Sequence, residues 1–350
     1  MENKAINQAY MQPKVVVIGG GTGVYVALMG LKHYTQNLTA IVTMADSGGS
    51  TGRLRDEFGH LPPGDLRKAL VALAADDEAT LMLRRLFEYR FEKGNGLSGH
   101  TFGNLFLTAL TEITGSTDRA VEEAANILNV RGKVVPVTLT DTHLVAVTAS
   151  GNVIKGETNI DIRRDDPEDP IDKVYLDPPA EANQKAIQAI EDADVIVIGP
   201  GDLFSSVIPN LLVDGIPEAI GRSRAIKIFV VNIMTKHGET DGYKASDFIR
   251  QVLRYLRGHS GLDYAIINYH EHIPSDVLQR YAEQKSVPVS IDLAECHQLV
   301  PKLIVRPLTK TGAYVRHDPQ LLAEAVMDVY AQVSSPTSSE VDKQSVTVSQ

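Results

Sequence analysis

Short apolar runs alternate with helical spacing along most of this chain. Five runs are rich in Val and Ile and have the length of buried strands: Lys14–Ile18, Ala40–Met44, Asp194–Ile198, Ile226–Val231 and Tyr264–Asn268. Each run is followed by a glycine-containing loop or a stretch of helical periodicity. Strands that alternate with helices predict a mostly parallel sheet covered on both faces, with ligands bound beyond the carboxyl ends of the strands.

The middle of the chain has a different pattern. Helical spacing from Leu66 to Val130 predicts a helical layer. Three β-type runs follow at Val134–Leu139, His143–Ala149 and Val153–Glu157, with the turn pair Gly151-Asn152 between the last two, and they predict an antiparallel meander. We expect a small inserted helical and β-meander subdomain over about residues 76–172. The acidic, proline-containing stretch at its end, residues 161–170, is predicted to be a loop that returns to the main sheet.

The two ends of the chain are polar. We predict a flexible N-terminus over residues 1–12, a nucleotide-binding domain over 13–333, and a disordered Ser/Thr-rich tail over 334–350. Since no apolar run approaches the ~20 residues that cross a bilayer, no membrane span is expected.

Composition narrows the class of protein. The 350 residues carry a formal net charge of −10. A chain with this excess of acidic residues lacks the basic surface that non-specific nucleic-acid binding requires. The single cysteine, Cys296, cannot form an intramolecular disulfide, which fits a reducing compartment. We therefore expect a cytoplasmic protein.

The first glycine-rich loop, GGGTG, follows the first strand directly. Glycines let backbone amides approach an anion, and a helix that begins after the loop adds its positive N-terminal dipole. The candidate phosphate-binding residues are Gly19, Gly20, Gly21, Thr22 and Gly23. No Gly-Lys-Ser/Thr follows, so this is not a Walker A loop, and the third glycine of the dinucleotide fingerprint is missing. A tight turn without a ligand is the alternative.

Two further segments continue this chemistry. ADSGGSTGRLRD, at the end of the second strand, offers Asp46, Ser50 and Arg53 for a phosphate or a Mg²⁺-phosphate, unless it is a plain surface loop. In GPGDLFSS, after the third buried strand, Gly199, Gly201, Ser205 and Ser206 can present amides and hydroxyls to an anion. Asp202 there is a candidate helix cap.

Two helical segments add weaker candidates. In GDLRKAL, Asp65 is placed to cap a helix or to serve the site, and Arg67 in the first turn opposes the helix dipole unless an anion is bound. In GHTFGNL, His100 and Asn104 stand four residues apart, so that both could face one pocket.

These motifs together resemble a known family. KVVVIGGGTG, SGGSTGRLRDEFGHLPPGDLRKALVALA, GHTFGNL, DVIVIGPGDLFSSVIPNLL, NIMTKHGETDGY and YVRHDP, in this order, are similar to the YvcK-like gluconeogenesis factors, which are related to the CofD-like 2-phospho-L-lactate transferases. The resemblance covers about Lys14 to Tyr330. It implies a Rossmann-like (CofD-like) three-layer α/β/α fold with a mostly parallel sheet and a small inserted α+β subdomain.

The same resemblance implies a ligand and a biological role. The ligand class is UDP-sugars, notably UDP-N-acetylglucosamine, bound by a regulatory protein that cells need for shape and wall synthesis during growth on gluconeogenic carbon sources. Tyr281 and Arg316 match the positions expected to contact the sugar nucleotide, and Thr22 and Asn210 are further candidates for directed contacts. Cell-wall-synthesis proteins and a second copy of the chain are the expected protein partners, and no reaction is implied.

Two enzymatic alternatives stay open at this stage. In a CofD-type transferase, Asp46 and Asp65 would be the catalytic candidates and hold a Mg²⁺ that accompanies the nucleotide, and Arg53 or Arg67 would steady the phosphate charge. Most family members read Asp-Asp-Gly-Gly where this chain has Asp46-Ser47-Gly48-Gly49, which weakens a hard-metal site. An NAD-dependent oxidoreductase would use Asp46 as the acid that binds the ribose. The missing third glycine of the dinucleotide fingerprint argues against this alternative.

Overall fold

A computed structural model describes residues 12–163, 169–269, 273–310 and 314–334. Its strands are β1 (Val15–Gly19), β2 (Leu38–Val42), β3 (Lys133–Pro136), β4 (His143–Thr148), β5 (Val153–Lys155), β6 (Ile171–Asp177), β7 (Val195–Ile198), β8 (Ile226–Val230), β9 (Tyr264–Asn268) and β10 (Lys302–Arg306). Seven of them form one sheet in the order β3-β2-β1-β7-β8-β9-β10, and every neighbouring pair is parallel. The predicted α/β class with a mostly parallel main sheet is confirmed.

The strands are apolar because the sheet is covered on both faces. All residues of β1 and β7 are buried, and both strands are continuous runs of Val and Ile before the glycine turns. A strand with only one covered face would alternate polar and apolar residues instead. The central strands of the sheet therefore form the middle of the hydrophobic core.

Helices flank this sheet. They are α1 (Gly21–Leu31), α2 (Gly49–Phe58), α3 (Gly64–Leu73), α4 (Glu78–Glu88), α5 (Phe102–Thr114), α6 (Thr117–Ile127), α7 (Glu157–Asp161), α8 (Gln184–Glu191), α9 (Ile208–Leu211), α10 (Ile216–Arg222), α11 (Ala245–Tyr255), α12 (Ser275–Glu283), α13 (Leu293–Leu299) and α14 (Pro319–Ser334). A π-helical turn, Leu203–Val207, precedes α9. No helix among the described residues is long and apolar enough to cross a membrane.

A second, antiparallel sheet has the order β5-β4-β6 and lies beside the main one. The prediction that Val134–Leu139 belongs to this meander is wrong, because β3 pairs in parallel with β2 at the edge of the main sheet. The acidic stretch 161–170 leads into β6 of the small sheet rather than back to the main sheet, although residues 164–168 lie outside the described part. Local apolar patterning identified β3, β4 and β5, missed β6, and could not show which sheet each strand joins.

The predictions for the chain ends are not decided by this structure. Residues 1–11 and 335–350 lie outside the described part, and the structure is defined from Gln12 to the end of α14 at Ser334.

The strand order creates a crevice between β1 and β7. The chain leaves β1 toward β2 on one side, and it leaves β7 toward β8 on the other, so the two following loops separate at the carboxyl edge. This reversal of direction is the topological switch point at which open parallel sheets bind ligands. Both glycine-rich turns identified in the sequence lie at this point.

Candidate functional site

The two glycine turns approach each other closely at the switch point. A Cβ atom added to Gly23 would lie 2.2 Å from the carbonyl oxygen of Pro200, so only glycine permits this contact. The helix α1 begins within the first turn, at Gly21, and its first amides are free of helical partners. The turns therefore combine exposed backbone donors with the positive end of a helix, as an anion site requires.

Two cavities open on either side of these turns. The smaller one has a volume of about 160 Å³ and is called here the Arg316 cavity; it is lined by Thr22, Gly23, Val26, Pro200, Gly201, Asp202, Asn232, Ile233, Met234, Val315, Arg316 and His317. The larger one, of about 320 Å³, is called the acidic cavity; it is lined by Gly21, Thr22, Thr43, Asp46, Gly48, Asp65, Lys68, Glu157, Thr158, Asp161, Asp202, Ser205, Ser206 and Lys236. Thr22 and Asp202 line both, so the cavities adjoin.

A carboxylate pair lies on one side of the acidic cavity. Asp46 follows β2 and Asp65 stands in the first turn of α3, where Lys68 approaches it at 3.1 Å. Burial and the charge of Asp65 raise the pKa of Asp46, while Asp65 raises the pKa of Lys68. The loop and the helix can meet only because residue 64 is glycine, since a Cβ there would lie 2.2 Å from Oδ2 of Asp46.

A second wall of the acidic cavity comes from the small sheet. Helix α7 follows β5 and contributes Glu157, Thr158 and Asp161 to the lining. The hydroxyl of Ser47 accepts a hydrogen bond from the amide of Thr158 at 3.0 Å and contacts its hydroxyl at 3.2 Å, which ties α7 to the loop after β2. Burial and the charges of Asp46 and Asp161 raise the pKa of Glu157 to about 8, so this carboxyl is largely protonated at neutral pH.

Lys236 lies at the centre of a second acidic group. Its Nζ donates to Asp161 and to Asp202, the latter at 2.7 Å, and lies 3.5 Å from Oε1 of Glu239. The three carboxylates could present one oxygen each within 4.8 Å of one another, a spacing that would suit a cation. Burial by itself lowers the pKa of Lys236, but these carboxylates outweigh burial and raise it. The lysine ammonium is therefore the cation that this group holds.

Glu239 is buried behind the lining and bound to the π-helical turn. Its Oε2 accepts from the amide of Phe204 at 3.0 Å, and its Oε1 accepts from the hydroxyl of Ser205 at 2.9 Å. Burial raises the pKa of Glu239 to about 7, against the opposing effect of Lys236. Ser205, which is itself 1% exposed, thus lies between a buried titrating carboxyl and the acidic cavity that it borders.

Arg316 lines the other cavity, and Tyr281 supports its chain segment. The hydroxyl of Tyr281, on α12, accepts from the amide of Val315 at 3.1 Å and lies 3.4 Å from its carbonyl oxygen. The Arg316 guanidinium lies 5.0 Å from the ring centre of Tyr314. Tyr281 is not among the residues that line either cavity, and its hydrogen bonds to this segment are to the backbone of Val315.

The structure separates the predicted site residues into two sets. Of the glycine-loop and hydroxyl candidates, Gly21, Thr22, Gly23, Gly201, Ser205 and Ser206 line the cavities, while Gly19, Gly20 and Gly199 shape the turns. Asn210 is fully buried, and its amide donates to the carbonyl oxygens of Ser206 and Val207, so it supports the π-helical turn.

The remaining predicted residues form a network outside the cavity linings. The amide oxygen of Asn104 accepts from Nε of Arg67 at 2.9 Å, and its nitrogen donates to the hydroxyl of Ser50 at 3.2 Å. That hydroxyl lies 2.9 Å from Nδ1 of His100, and Arg53 donates to the carbonyl oxygen of Ser98. These residues hold α2, α3 and α5 together next to the acidic cavity.

Neither Asp65 nor Asp202 caps a helix with its side chain, an alternative that the sequence left open for both. Asp65 lies inside the first turn of α3 and binds Lys68, and Asp202 makes no side-chain capping bond but binds Lys236. Lys68 binds Asp65 from the same helix, three residues along, whereas Lys236 reaches Asp202 from a separate loop that adjacent sequence could not reveal.

Sequence reasoning missed five charged residues of the site: Lys68, Glu157, Asp161, Lys236 and Glu239. Lys236 and Glu239 lie in the NIMTKHGETDGY segment, whose position directly after a buried strand was the available signal. Glu157 and Asp161 carried no such signal, because they reach the cavity from the small sheet.

Comparisons with known proteins agree with this arrangement. The family model for 2-phospho-L-lactate transferase CofD matches residues 15–309. A protein from Nostoc sp. is 47% identical over 330 residues, which cover 93% of this chain and 70% of that protein. The gluconeogenesis factor of Bacillus subtilis is 39% identical over 322 residues, which cover 91% of this chain and 98% of that protein.

A solved structure has the same fold. The crystal structure of a upf0052 family member from Bacillus halodurans superposes with a TM-score of 0.84 at 41% identity, over 91% of this chain and 99% of that one. The motifs, the switch-point crevice and these matches lead to one assignment: the chain belongs to the CofD family, within the group of its members named gluconeogenesis factors.

Proposed function

We propose that this protein is a gluconeogenesis factor that binds a UDP-sugar, notably UDP-N-acetylglucosamine, across the two adjoining cavities. The observation that carries the proposal is the pair of glycine turns at the switch point, with a cavity on each side and Thr22 and Asp202 common to both. A nucleoside diphosphate sugar has the matching order of parts: a base and ribose, a diphosphate, and a sugar.

The chemistry of each part supports one orientation. The Arg316 cavity offers apolar side chains for the nucleoside and a guanidinium that can fork onto the diphosphate. The diphosphate lies at the amides of the turns and at the start of α1, at the end of the acidic cavity that Gly21, Ser205 and Ser206 line. The acidic cavity takes the sugar, because carboxylate oxygens such as those of Asp65 and Asp202 accept hydrogen bonds from hydroxyl groups.

The proposed biological role is regulatory. In this proposal the bound UDP-sugar contacts α7 of the small sheet as well as the turns of the main sheet, and so biases how the two sheets are held. Partner proteins of cell-wall synthesis would recognise that difference, and cells would need it for shape and wall synthesis on gluconeogenic carbon sources. Such a mechanism requires that the ligand bind two states with different affinities.

A second candidate function is a nucleotide-linked phosphoryl-group transferase that depends on Mg²⁺. The match to the CofD model and the meeting of Asp46 with Asp65 favour it. Their carboxylate oxygens are ligands of the type Mg²⁺ prefers, although Asp65 also binds Lys68. Ser47, at the position where the second aspartate is expected, contacts Thr158 and is not part of the cavity lining.

Calorimetric titration separates the two candidates. The protein is titrated with UDP-N-acetylglucosamine, UDP-glucose, GDP and NAD, each with and without Mg²⁺. We expect metal-independent binding of the UDP-sugars that falls roughly tenfold to a hundredfold in Arg316→Ala, the loss of one charge-assisted contact. Arg250→Ala, on an exposed part of α11, is the matched control and should bind as the wild type does.

Other outcomes contradict this proposal. Preference for GDP with Mg²⁺, together with turnover that Asp46→Ala abolishes, would favour the transferase. Binding of none of the UDP-sugars by a folded protein would refute the regulatory proposal.

A further inference from the structure

Among the cavity hydroxyl groups in the described part of the chain, only that of Ser205 donates its hydrogen bond to Glu239. A serine hydroxyl has a single hydrogen to donate, and that of Ser205 points to Oε1 of Glu239 at 2.9 Å. While it does so, Ser205 can offer a ligand in the acidic cavity only lone pairs. A phosphate oxygen is an acceptor, so it gains nothing from Ser205 in this arrangement.

A proton on Glu239 reverses this arrangement. Oε2 accepts from the amide of Phe204 at 3.0 Å, and that amide can only donate. The proton is therefore best placed on Oε1, which then donates to the Ser205 oxygen. The Ser205 hydrogen is freed, and it can turn toward the acidic cavity that this residue lines.

The surroundings of Glu239 allow either state. Its side chain is fully buried, which disfavours the charged form. The charged groups of the described chain that face it are Lys236 of its own loop, Asp202 of the turn after β7, and Asp161 of α7. The lysine favours the ionised form of Glu239, and the two aspartates favour its protonated form. The two forms therefore have similar free energies.

From this geometry, and resting on the proposed function, we infer that Glu239 is a positioning residue whose proton decides whether Ser205 donates to the protein or to a phosphate group of the ligand. A bound diphosphate adds negative charge near Glu239 and an acceptor for Ser205, and both favour the protonated form. Binding of the ligand therefore takes up a proton at Glu239.

The test measures proton uptake directly. UDP-N-acetylglucosamine is titrated by calorimetry at about pH 8 in buffers with different enthalpies of ionisation; its diphosphate is a diester, without the second ionisation that phosphate monoesters show near pH ~6. We expect the wild type to take up a proton per ligand and to lose affinity by up to roughly tenfold per pH unit above neutrality.

Three variants show which group takes up the proton when the ligand binds. Glu239→Gln is isosteric, accepts from Phe204 and donates to Ser205, so it should bind without proton uptake and with an affinity that does not change with pH. Ser205→Ala keeps the titrating Glu239, so it should bind more weakly than Glu239→Gln and retain only the smaller pH dependence that the charge of the diphosphate causes. Asp46 and Glu157 are the other carboxyls of the cavity whose pKa is raised; Glu157→Gln removes the more strongly shifted of these and should keep the uptake.

The outcomes distinguish the inference from the proposed function. The inference would be overturned, and the proposed function left standing, if the wild type binds UDP-sugars without proton uptake. The same holds if the uptake persists in Glu239→Gln or disappears in Glu157→Gln. No UDP-sugar binding by the folded wild type would overturn the proposed function, and the inference with it.

Discussion

Replacing Glu157 by glutamine should stabilise this protein, and more so as the pH rises. Burial and neighbouring aspartates raise the pKa of this carboxyl from 4.5 to about 8. Between these values the folded state keeps a proton that the unfolded state has lost, so Glu157 lowers the free energy of unfolding as the pH rises from about 4.5 to 8. Glutamine removes the titration and keeps an oxygen that can accept from the amide of Ser47.

The size of the effect follows from the pKa shift. Each pH unit within this window is worth about 1.4 kcal/mol. The variant should therefore gain less than about 1 kcal/mol at pH ~5, roughly 3 kcal/mol at pH ~7 and up to about 5 kcal/mol at pH ~8, as upper limits. The matched control is Glu123→Gln, since Glu123 is exposed on α6.

Denaturant unfolding followed by circular dichroism at these three pH values measures the effect. The stability difference between Glu157→Gln and the wild type should grow with pH, while Glu123→Gln should follow the wild type throughout. A Glu157→Gln curve that runs parallel to the wild-type curve from pH ~5 to ~8 would show that the carboxyl is not held away from water as the structure implies.

Three further predictions concern the contacts around the cavities. Gly23→Ala places a methyl group 2.2 Å from the Pro200 oxygen. It should lower stability by about 1–3 kcal/mol in thermal unfolding and abolish nucleotide binding in calorimetry. Unchanged binding would show that the turns need not approach so closely. Tyr281→Phe removes the hydroxyl that binds the backbone of Val315. It should weaken UDP-sugar binding roughly threefold to tenfold with little loss of stability. A hundredfold loss of affinity would instead indicate direct contact with the ligand. Lys236→Met leaves three carboxylates without their cation, of which only Glu239 is fully buried. It should destabilise the fold by about 1–3 kcal/mol at pH ~8 and by less at pH ~6, in urea unfolding. Equal losses at both pH values would contradict this electrostatic account.

Five of the seven strands of the main sheet, β1, β2, β7, β8 and β9, could be predicted from local patterns because the causes of those patterns are local; β10 was not predicted and β3 was assigned to the other sheet. Runs such as Val15–Gly19 and Val195–Ile198 are apolar throughout, and only strands buried on both faces need such composition. Glycine turns directly after these strands carry the second local signal, since positions such as Gly23 admit no side chain. These two signals are enough to predict a parallel sheet with an anion site at its carboxyl edge.

Membership of the two sheets could not be predicted in this way. Strand β3 and strand β4 follow each other closely and have similar apolar content, yet one pairs in parallel with β2 and the other forms the centre of the small sheet. Partners of a strand are chosen by contacts with residues far away in the sequence, which local periodicity does not contain.

The charge balance of the site is also a property of the tertiary structure alone. The sequence by itself determined the α/β architecture, the two glycine-rich turns and the candidate residues Asp46, Asp65 and Ser205. Only the folded chain brings Lys236 between carboxylates from three separate segments and places Glu157 beside Asp46. The physical reason is that pKa shifts and ion pairs depend on distances of a few ångströms and on burial, and both are set by packing rather than by neighbours along the chain.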